Sequence, residues 1–297
     1  MILKEVRNNK IESFFIVSGF LLFITLIIYF ICVYFDLGPM SAVIALAFSV
    51  LTSIISYYNS DKIVLSMNNA RPATEEEDKL LTSILDELCI ASGLPRPKLY
   101  VIDDPSPNAF ATGRNPENAV ICFTTGIIEK LDRYELEGVM AHELSHIKNY
   151  DILLSTIVSV FVGFVVIVAD LIFRFPLMRG RNNDRESGNS KIIIQLVGLI
   201  FLILSPIFAQ LIQLAISRKR EFLADASSVE ITRNPSGLIS ALRKLDDDRN
   251  SMHNVSKATS HMYIVNPLND ERKKEKSNIF STHPSIDERI ERLEHIN

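Results

Sequence analysis

Long apolar stretches separate blocks of polar residues along this chain of 297 residues. A helix needs about 20 apolar residues to cross the hydrocarbon core of a bilayer, which is about 30 Å thick. Four stretches are long enough, and the only charged residue within them is Asp170. They cover residues 13–35, 37–60, 152–173 and 192–217. The pattern therefore predicts four transmembrane helices, which form two hairpins.

The polar blocks that follow the two hairpins show the patterns of short helices and strands. A capping box of Thr74 and Glu77 predicts the start of one helix, and a second box of Asp132 and Glu135 predicts another. Between them, the segments KLYVID, NAFATG and AVICFTT have the composition of short strands. The predicted fold class is therefore α+β and mainly α, with a small sheet, joined to a four-helix transmembrane region.

The alternation of apolar and polar blocks predicts four parts of the chain. Residues 1–60 are the N-terminal transmembrane hairpin, and residues 152–217 are the second hairpin. Because each hairpin returns the chain to the side on which it started, residues 61–151 and 218–297 are predicted to lie on the same side of the membrane. We interpret them as the two parts of one polar domain.

Basic residues indicate on which side of the membrane the polar domain lies. Lys4, Arg7 and Lys10 precede the first hairpin, and the loop of that hairpin holds no basic residue. The positive-inside rule therefore places the N-terminus, and the polar domain with it, in the cytoplasm. The loop of the second hairpin is itself basic and breaks the rule, so full crossing of the bilayer by residues 152–217 stays open.

Composition and charge narrow the class of partner. The chain is 47% hydrophobic, its mean hydropathy is +0.19, and its net charge is −4. It contains no basic run and no nucleic-acid-binding motif, so no nucleic-acid partner is expected. The apolar stretches instead make the lipid bilayer the expected partner.

The candidate chemistry lies in the segment HELSH, immediately before the third apolar stretch. His142 and His146 are four residues apart, so on a helix they share a face and can bind one metal ion. Glu143 projects about 100° away from His142 and can hold a water on that ion and take its proton. The alternative is two solvated histidines on an amphipathic helix.

A third metal ligand has to come from elsewhere in the chain. The metzincin position, a histidine six residues after His146, holds Ile152. A gluzincin instead takes a glutamate from another helix. Glu221 and Glu230 both qualify by composition, and Glu221 is favoured because it follows the fourth stretch as closely as His146 precedes the third. Asp225, one turn on, suits a carboxylate that orients a ligand imidazole, or is an exposed helix charge.

HELSH, EFLAD and FSTHPSIDERIERL occur in this order and resemble the motifs of the HtpX-type membrane zinc metalloproteases over nearly the whole chain. These proteases belong to a superfamily that includes the type-1 CAAX prenyl proteases. The resemblance implies one zinc ion per subunit, bound by His142, His146 and Glu221, with Glu143 as general base. It also implies an endopeptidase of gluzincin-like fold in a cell inner membrane, which degrades misfolded or damaged membrane proteins and faces the cytoplasm.

The resemblance suggests roles for four further residues. Asn108 and Ala109 occupy the place of an edge strand that binds an unfolded polypeptide substrate by strand addition, although a turn-rich loop would explain the same residues. His283 matches a position thought to stabilise an oxyanion, or it neighbours the N-cap of the terminal helix. Arg220 could stabilise the same charge or face lipid headgroups.

Other functions have to be weighed against a quality-control protease. A CAAX-type prenyl protease is one alternative, but such proteases have more transmembrane spans than the four predicted here, and their spans enclose a chamber. A non-catalytic membrane zinc sensor or a transporter is another. A sensor needs no general base, so Glu143 favours an enzyme, and a transporter would place more ionisable residues within its spans than Asp170 alone.

Overall fold

The computed structural model describes residues 2–34, 40–178, 218–248, 250, 252, 255–256, 258–267 and 284–296. The fold is mostly helical with a small sheet. The helices are α1 (Ile2–Tyr34), α2 (Met40–Tyr58), α3 (Ser60–Met67), α4 (Glu75–Ser92), α5 (Thr125–Lys130), α6 (Arg133–Lys148), α7 (Asp151–Met178), α8 (Arg218–Thr232), α9 (Pro235–Asp247) and α10 (Ile286–Glu294). Two single turns of 3₁₀ helix occur at Pro116–Asn118 and Ser260–Met262.

The sheet has four strands, β1 (Arg71–Pro72), β2 (Lys98–Ile102), β3 (Ala109–Gly113) and β4 (Ala119–Thr124), in the order β1-β2-β4-β3. Strand β4 pairs parallel with β2 and antiparallel with β3. The three strands predicted from the sequence are thereby confirmed, whereas the two-residue β1 is too short for alternation to reveal. Strand β3 lies at one edge of this sheet.

Local signals set the starts of the two central helices. Both predicted capping boxes are present: Thr74 and Glu77 begin α4, and Asp132 and Glu135 begin α6. Each box satisfies backbone N–H groups that a helix start leaves without an intrahelical partner. Helix α6 is the one that carries HELSH, so the second capping box sets where that helix begins.

Helix α6 lies at the centre of the main hydrophobic core. The core joins residues from both polar blocks, such as Leu85 of α4, Met140 of α6, Leu242 of α9 and Leu293 of α10. The two blocks therefore pack as parts of one core, while the division of the chain into domains stays a prediction. Helices α6 and α9 approach so closely that a Cβ on Gly138 would lie 2.6 Å from the backbone nitrogen of Leu238.

The predicted spans are only partly covered by the structure. Helix α1 covers residues 13–34 of the first apolar stretch, α2 covers residues 40–58 of the second, and α7 contains the third. Residues 192–217 lie outside the described residues. Within the described part of the chain, no single helix is both long and apolar enough to cross a membrane. Helix α6 and residues Asp151–Phe164 meet the test only as a pair bent by 83°. The four-helix transmembrane region stays a prediction.

Candidate metal centre

Three side chains from two helices converge beside the core. The Nε2 atoms of His142 and His146, one turn apart on α6, lie 3.2 Å from each other. Helix α8 brings Oε2 of Glu221 to 3.7 Å from Nε2 of His142, and Oε1 of Glu221 to 3.7 Å from Nε2 of His146. One ligand atom from each residue lies within 4.8 Å of the others. The competing glutamate, Glu230, is exposed on the same helix.

The geometry of the three side chains fits a metal ion. Zinc bonds to imidazole nitrogen at about 2.0–2.1 Å, so two nitrogens of a tetrahedral site are separated by about 3.3 Å. The observed separation of 3.2 Å is close to this value. Two nitrogens and one carboxylate oxygen also form a donor set that leaves a fourth position open.

A carboxylate lies behind each imidazole. The Asp225 Oδ1 atom is 3.0 Å from Nδ1 of His142, and the Asp151 Oδ2 atom is 2.9 Å from Nδ1 of His146. Each Nδ1–H donates to its carboxylate, which leaves the Nε2 lone pair for a metal. Asp225 was expected in this position. No role is assigned to Asp151 from the sequence, although it lies only five residues after His146.

The electrostatic surroundings of the two histidines differ. Burial, together with the charge of Arg289, lowers the pKa of His142. For His146, burial lowers the pKa as well, but contacts with Asp151 and Glu221 outweigh it and raise the pKa to about 9. A bound cation favours the neutral form of both rings, so metal binding would release a proton from His146.

Glu143 lies next to these three side chains. Its side chain is 2% exposed, and it accepts a hydrogen bond from the backbone N–H of Ala111 in β3. Burial, with repulsion from Glu221, raises the pKa of Glu143 to about 7. Glu143, His146 and Glu221 line a cavity of about 30 Å³. This volume holds water but no peptide.

The family to which this site belongs is shown by comparison with known proteins. Residues 75–297 match the model of peptidase family M48. The chain belongs to peptidase family M48. The matched range contains HELSH, Glu221 and the terminal motif, so the M48 family assignment and the three converging side chains refer to the same part of the molecule. The M48 chain is a metalloprotease.

Individual relatives of this M48 protein cover almost its full length. It is 42% identical over 290 residues to the Protease HtpX homolog of Dictyoglomus thermophilum, covering 98% of this chain and 93% of the relative. It is also 42% identical over 310 residues to the Protease HtpX homolog of Listeria monocytogenes serotype 4a, covering 100% of both. The resemblance to HtpX-type proteases is therefore confirmed.

A solved structure shows a similar fold. The crystal structure of S. mikatae Ste24p matches the M48 protein with a TM-score of 0.51 and 20% identity, covering 99% of this chain and 67% of that chain. At this identity the match shows a shared fold. It agrees with the predicted mainly helical protease domain with its small sheet.

Arg289 in α10 is a residue of the site that the sequence analysis missed. It is 1% exposed and donates from Nη2 and Nε to the two oxygens of Asp225, at 2.6 and 2.9 Å. Its Nη2 also lies 3.5 Å from the ring nitrogens of His142. Burial raises the pKa of Asp225, but Arg289 and His142 outweigh it and lower that pKa. A charged residue on the apolar face of an amphipathic helix, with Leu293 one turn on, was the available signal.

We expect Arg289→Met to lower the free energy of unfolding by about 3–5 kcal/mol, because it leaves the buried carboxylate of Asp225 without its partner. The chain contains no tryptophan, so thermal unfolding is best followed by circular dichroism at 222 nm. Arg292→Met, on the exposed face of the same helix, is the matched control and should cost less than about 1 kcal/mol. Equal shifts in melting temperature for both variants would contradict this role of Arg289.

The structure places Asn108 and Ala109 against a segment of the chain itself. We call residues 258–267 the covering segment. The Asn108 side chain is 0% exposed; it donates to the Val265 carbonyl at 2.8 Å and accepts from the Val265 N–H at 3.3 Å. The Ala109 carbonyl accepts from the Ile264 N–H at 3.0 Å. The covering segment therefore occupies the start of the outer edge of β3.

The covering segment also closes the metal site. His261 and Met262 line the same small cavity as Glu143. Arg289 holds the segment through a hydrogen bond from Nη1 to the Ile264 carbonyl, at 3.2 Å. The cavity and the strand edge thus share one cover.

The two remaining candidate residues have different outcomes. Arg220 is buried, and its Nη1 atom lies 3.2 Å from Oδ1 of Asn9 and 3.5 Å from Oε2 of Glu12, both in α1. Its side chain also lines the cavity beside Glu221. His283 lies outside the described residues, so its predicted role stays a prediction.

Proposed function

We propose that this M48 protein is an integral membrane zinc endopeptidase, which hydrolyses peptide bonds of unfolded or damaged membrane proteins. The observation that carries the proposal is the convergence of His142, His146 and Glu221 beside the buried carboxylate of Glu143. A zinc ion held by these three residues would polarise the substrate carbonyl and lower the pKa of a water beside it.

Glu143 is the proposed general base. Its carboxylate would take a proton from the attacking water and pass it to the leaving amine. A pKa raised to about 7 by burial suits both transfers near neutral pH. The hydrogen bond from the Ala111 N–H orients the carboxylate toward the cavity.

The covering segment suggests how a substrate would bind. One main-chain hydrogen bond joins it to the edge of β3, from the Ile264 N–H to the Ala109 carbonyl. The side-chain amide of Asn108, the residue before β3, pairs with both main-chain groups of Val265. A substrate strand that takes its place would be held through main-chain groups, which tolerates many sequences. Because the cavity admits only water, the covering segment has to move before a polypeptide can reach Glu143.

Several large apolar side chains on α1 and α2 support contact with a lipid bilayer. Phe14, Val43 and Phe48 are among those that the protein leaves exposed, and Phe14 is 68% exposed. Exposed apolar surface of this extent is unfavourable in water. With Lys4, Arg7 and Lys10 before the first hairpin, we propose a multi-pass inner-membrane protein whose protease domain faces the cytoplasm.

Metal removal tests the proposal. We expect the full-length protein in detergent to cleave casein, to lose cleavage after 1,10-phenanthroline, and to recover with zinc. Magnesium should not restore activity, because imidazole ligands disfavour that hard cation. The non-chelating isomer 1,7-phenanthroline is the matched control.

Three outcomes would contradict the proposal in different ways. Cleavage that persists in the metal-free protein would exclude a metal-dependent reaction. A protein that binds zinc but cleaves neither casein nor an unfolded membrane protein would instead favour the zinc sensor. Cleavage confined to prenylated peptides would favour the CAAX-type protease.

A further inference from the structure

Helix α1 carries a buried asparagine to the edge of the metal site. Asn9 is 1% exposed, although it lies on a helix whose neighbouring positions are largely accessible. Its Nδ2 donates to Asp151 Oδ1 at 2.6 Å and to the Asn149 carbonyl at 2.9 Å. Its Oδ1 accepts from Arg220 Nη1 at 3.2 Å. Both polar groups of the amide are therefore used.

These bonds lead to one of the three proposed metal-ligating residues and to the chain neighbour of a second. The other oxygen of Asp151 accepts from Nδ1 of His146 at 2.9 Å, so Asn9 holds that carboxylate from the side opposite the imidazole. Arg220 is the residue before Glu221 in α8. One amide thus bridges the end of the HELSH helix and the start of the helix that supplies the third ligand.

Two neighbours of Asn9 in α1 also contact the residues around the metal site. The Lys10 ammonium lies 4.0 Å from the centre of the Tyr150 ring, and a carboxylate oxygen of Glu12 lies 3.5 Å from Nη1 of Arg220. Tyr150 has a φ of 61° in the bend between α6 and α7, a conformation that side chains rarely adopt. Helix α1 therefore contacts this bend at Tyr150, the residue whose backbone has the positive φ.

We propose that Asn9 is a positioning residue for the metal site, which keeps Asp151 aligned with His146 and Arg220 aligned beside Glu221. Partners of this kind fix the orientation of a ligand imidazole and raise metal affinity. The N-terminal helix is then part of the metal-binding apparatus as well as an anchor. The inference rests on the metal site of the proposed function.

Substitution of Asn9 in the full-length protein tests this role. We expect Asn9→Leu, which has similar volume but no hydrogen bonds, to lower zinc affinity about tenfold, the lower end for loss of such a partner. Affinity is measured by competition with a chromophoric chelator, and site geometry by the visible absorption of the cobalt-substituted protein. Thermal unfolding of the metal-free protein reports any general loss of stability.

Ser13→Ala provides the matched control. Ser13 is buried one turn further along the same face of α1, and its hydroxyl makes no hydrogen bond to any residue that the structure describes. We expect this variant to keep the wild-type zinc affinity and cobalt spectrum. Asn9→Ala, which removes the same hydrogen bonds without adding bulk, covers the case in which leucine disturbs packing.

A double-mutant cycle distinguishes positioning from a general packing effect. If Asn9 acts through Asp151, the losses of zinc affinity in Asn9→Ala and Asp151→Asn will be less than additive in the double variant. Unchanged affinity in both Asn9 variants, equal losses in Ser13→Ala, or strict additivity would overturn the inference and leave the proposed function intact. A wild-type protein without zinc affinity would overturn both.

Discussion

Replacement of Glu143 by glutamine is expected to lower casein cleavage by about 10²–10⁴-fold, the usual contribution of a general base. Glutamine keeps the size of the side chain and an oxygen that can accept from the Ala111 N–H. It cannot take a proton from water. Because Glu143 is not among the three converging residues that could hold a metal ion, the zinc content of the variant should equal that of the wild type.

The measurement compares cleavage rates with zinc content determined by mass spectrometry on the same samples. Glu137→Gln changes a partly exposed glutamate of the same helix and is the matched control, which should keep both activity and metal. Cleavage at the wild-type rate in Glu143→Gln would show that another group removes the proton, and the role proposed for Glu143 would be wrong.

Glu221→Gln is expected to lose zinc and cleavage together. The neutral amide is a weak ligand and removes negative charge that favours a cation between the two imidazoles. We expect zinc affinity to fall by more than about 100-fold, because loss of a residue that merely supports a ligand already costs about 10–100-fold.

Glu230→Gln is the matched control, because it makes the same substitution at an exposed glutamate of the same helix. This variant should bind zinc and cleave casein as the wild type does. Normal zinc binding and activity in Glu221→Gln would place the third ligand elsewhere, and loss of zinc in Glu230→Gln alone would point to a rearranged α8.

The parts of the site that could be predicted depend on short-range spacing. His142 and His146 share a helix face, and Asp225 follows Glu221 by one turn, so the period of the helix is enough to group them. The choice of Glu221 over Glu230 came from its distance to the adjoining apolar stretch. The structure brings Glu221 to the histidines and leaves Glu230 exposed.

The residues that were missed depend on contacts between distant parts of the chain. Arg289 reaches His142 across a separation of 147 positions, and Asn9 reaches Arg220 across 211. Sequence periodicity cannot predict such pairs, because they form only when α1, α6, α8 and α10 pack together. The contact of Asn108 with Val265 has the same origin, because a strand predicted from alternation does not reveal what lies along its edge.

The wide separation of these residues has a consequence for biosynthesis. The ribosome delivers the chain from its N-terminus, so the HELSH helix is complete long before Glu221 and Arg289 have been made. A nascent chain therefore has the two imidazoles but neither the Glu221 carboxylate nor the guanidinium that neutralises Asp225. Hydrolytic activity can begin only after translation has passed Arg289, and any premature stop before that residue leaves a protein without an assembled site.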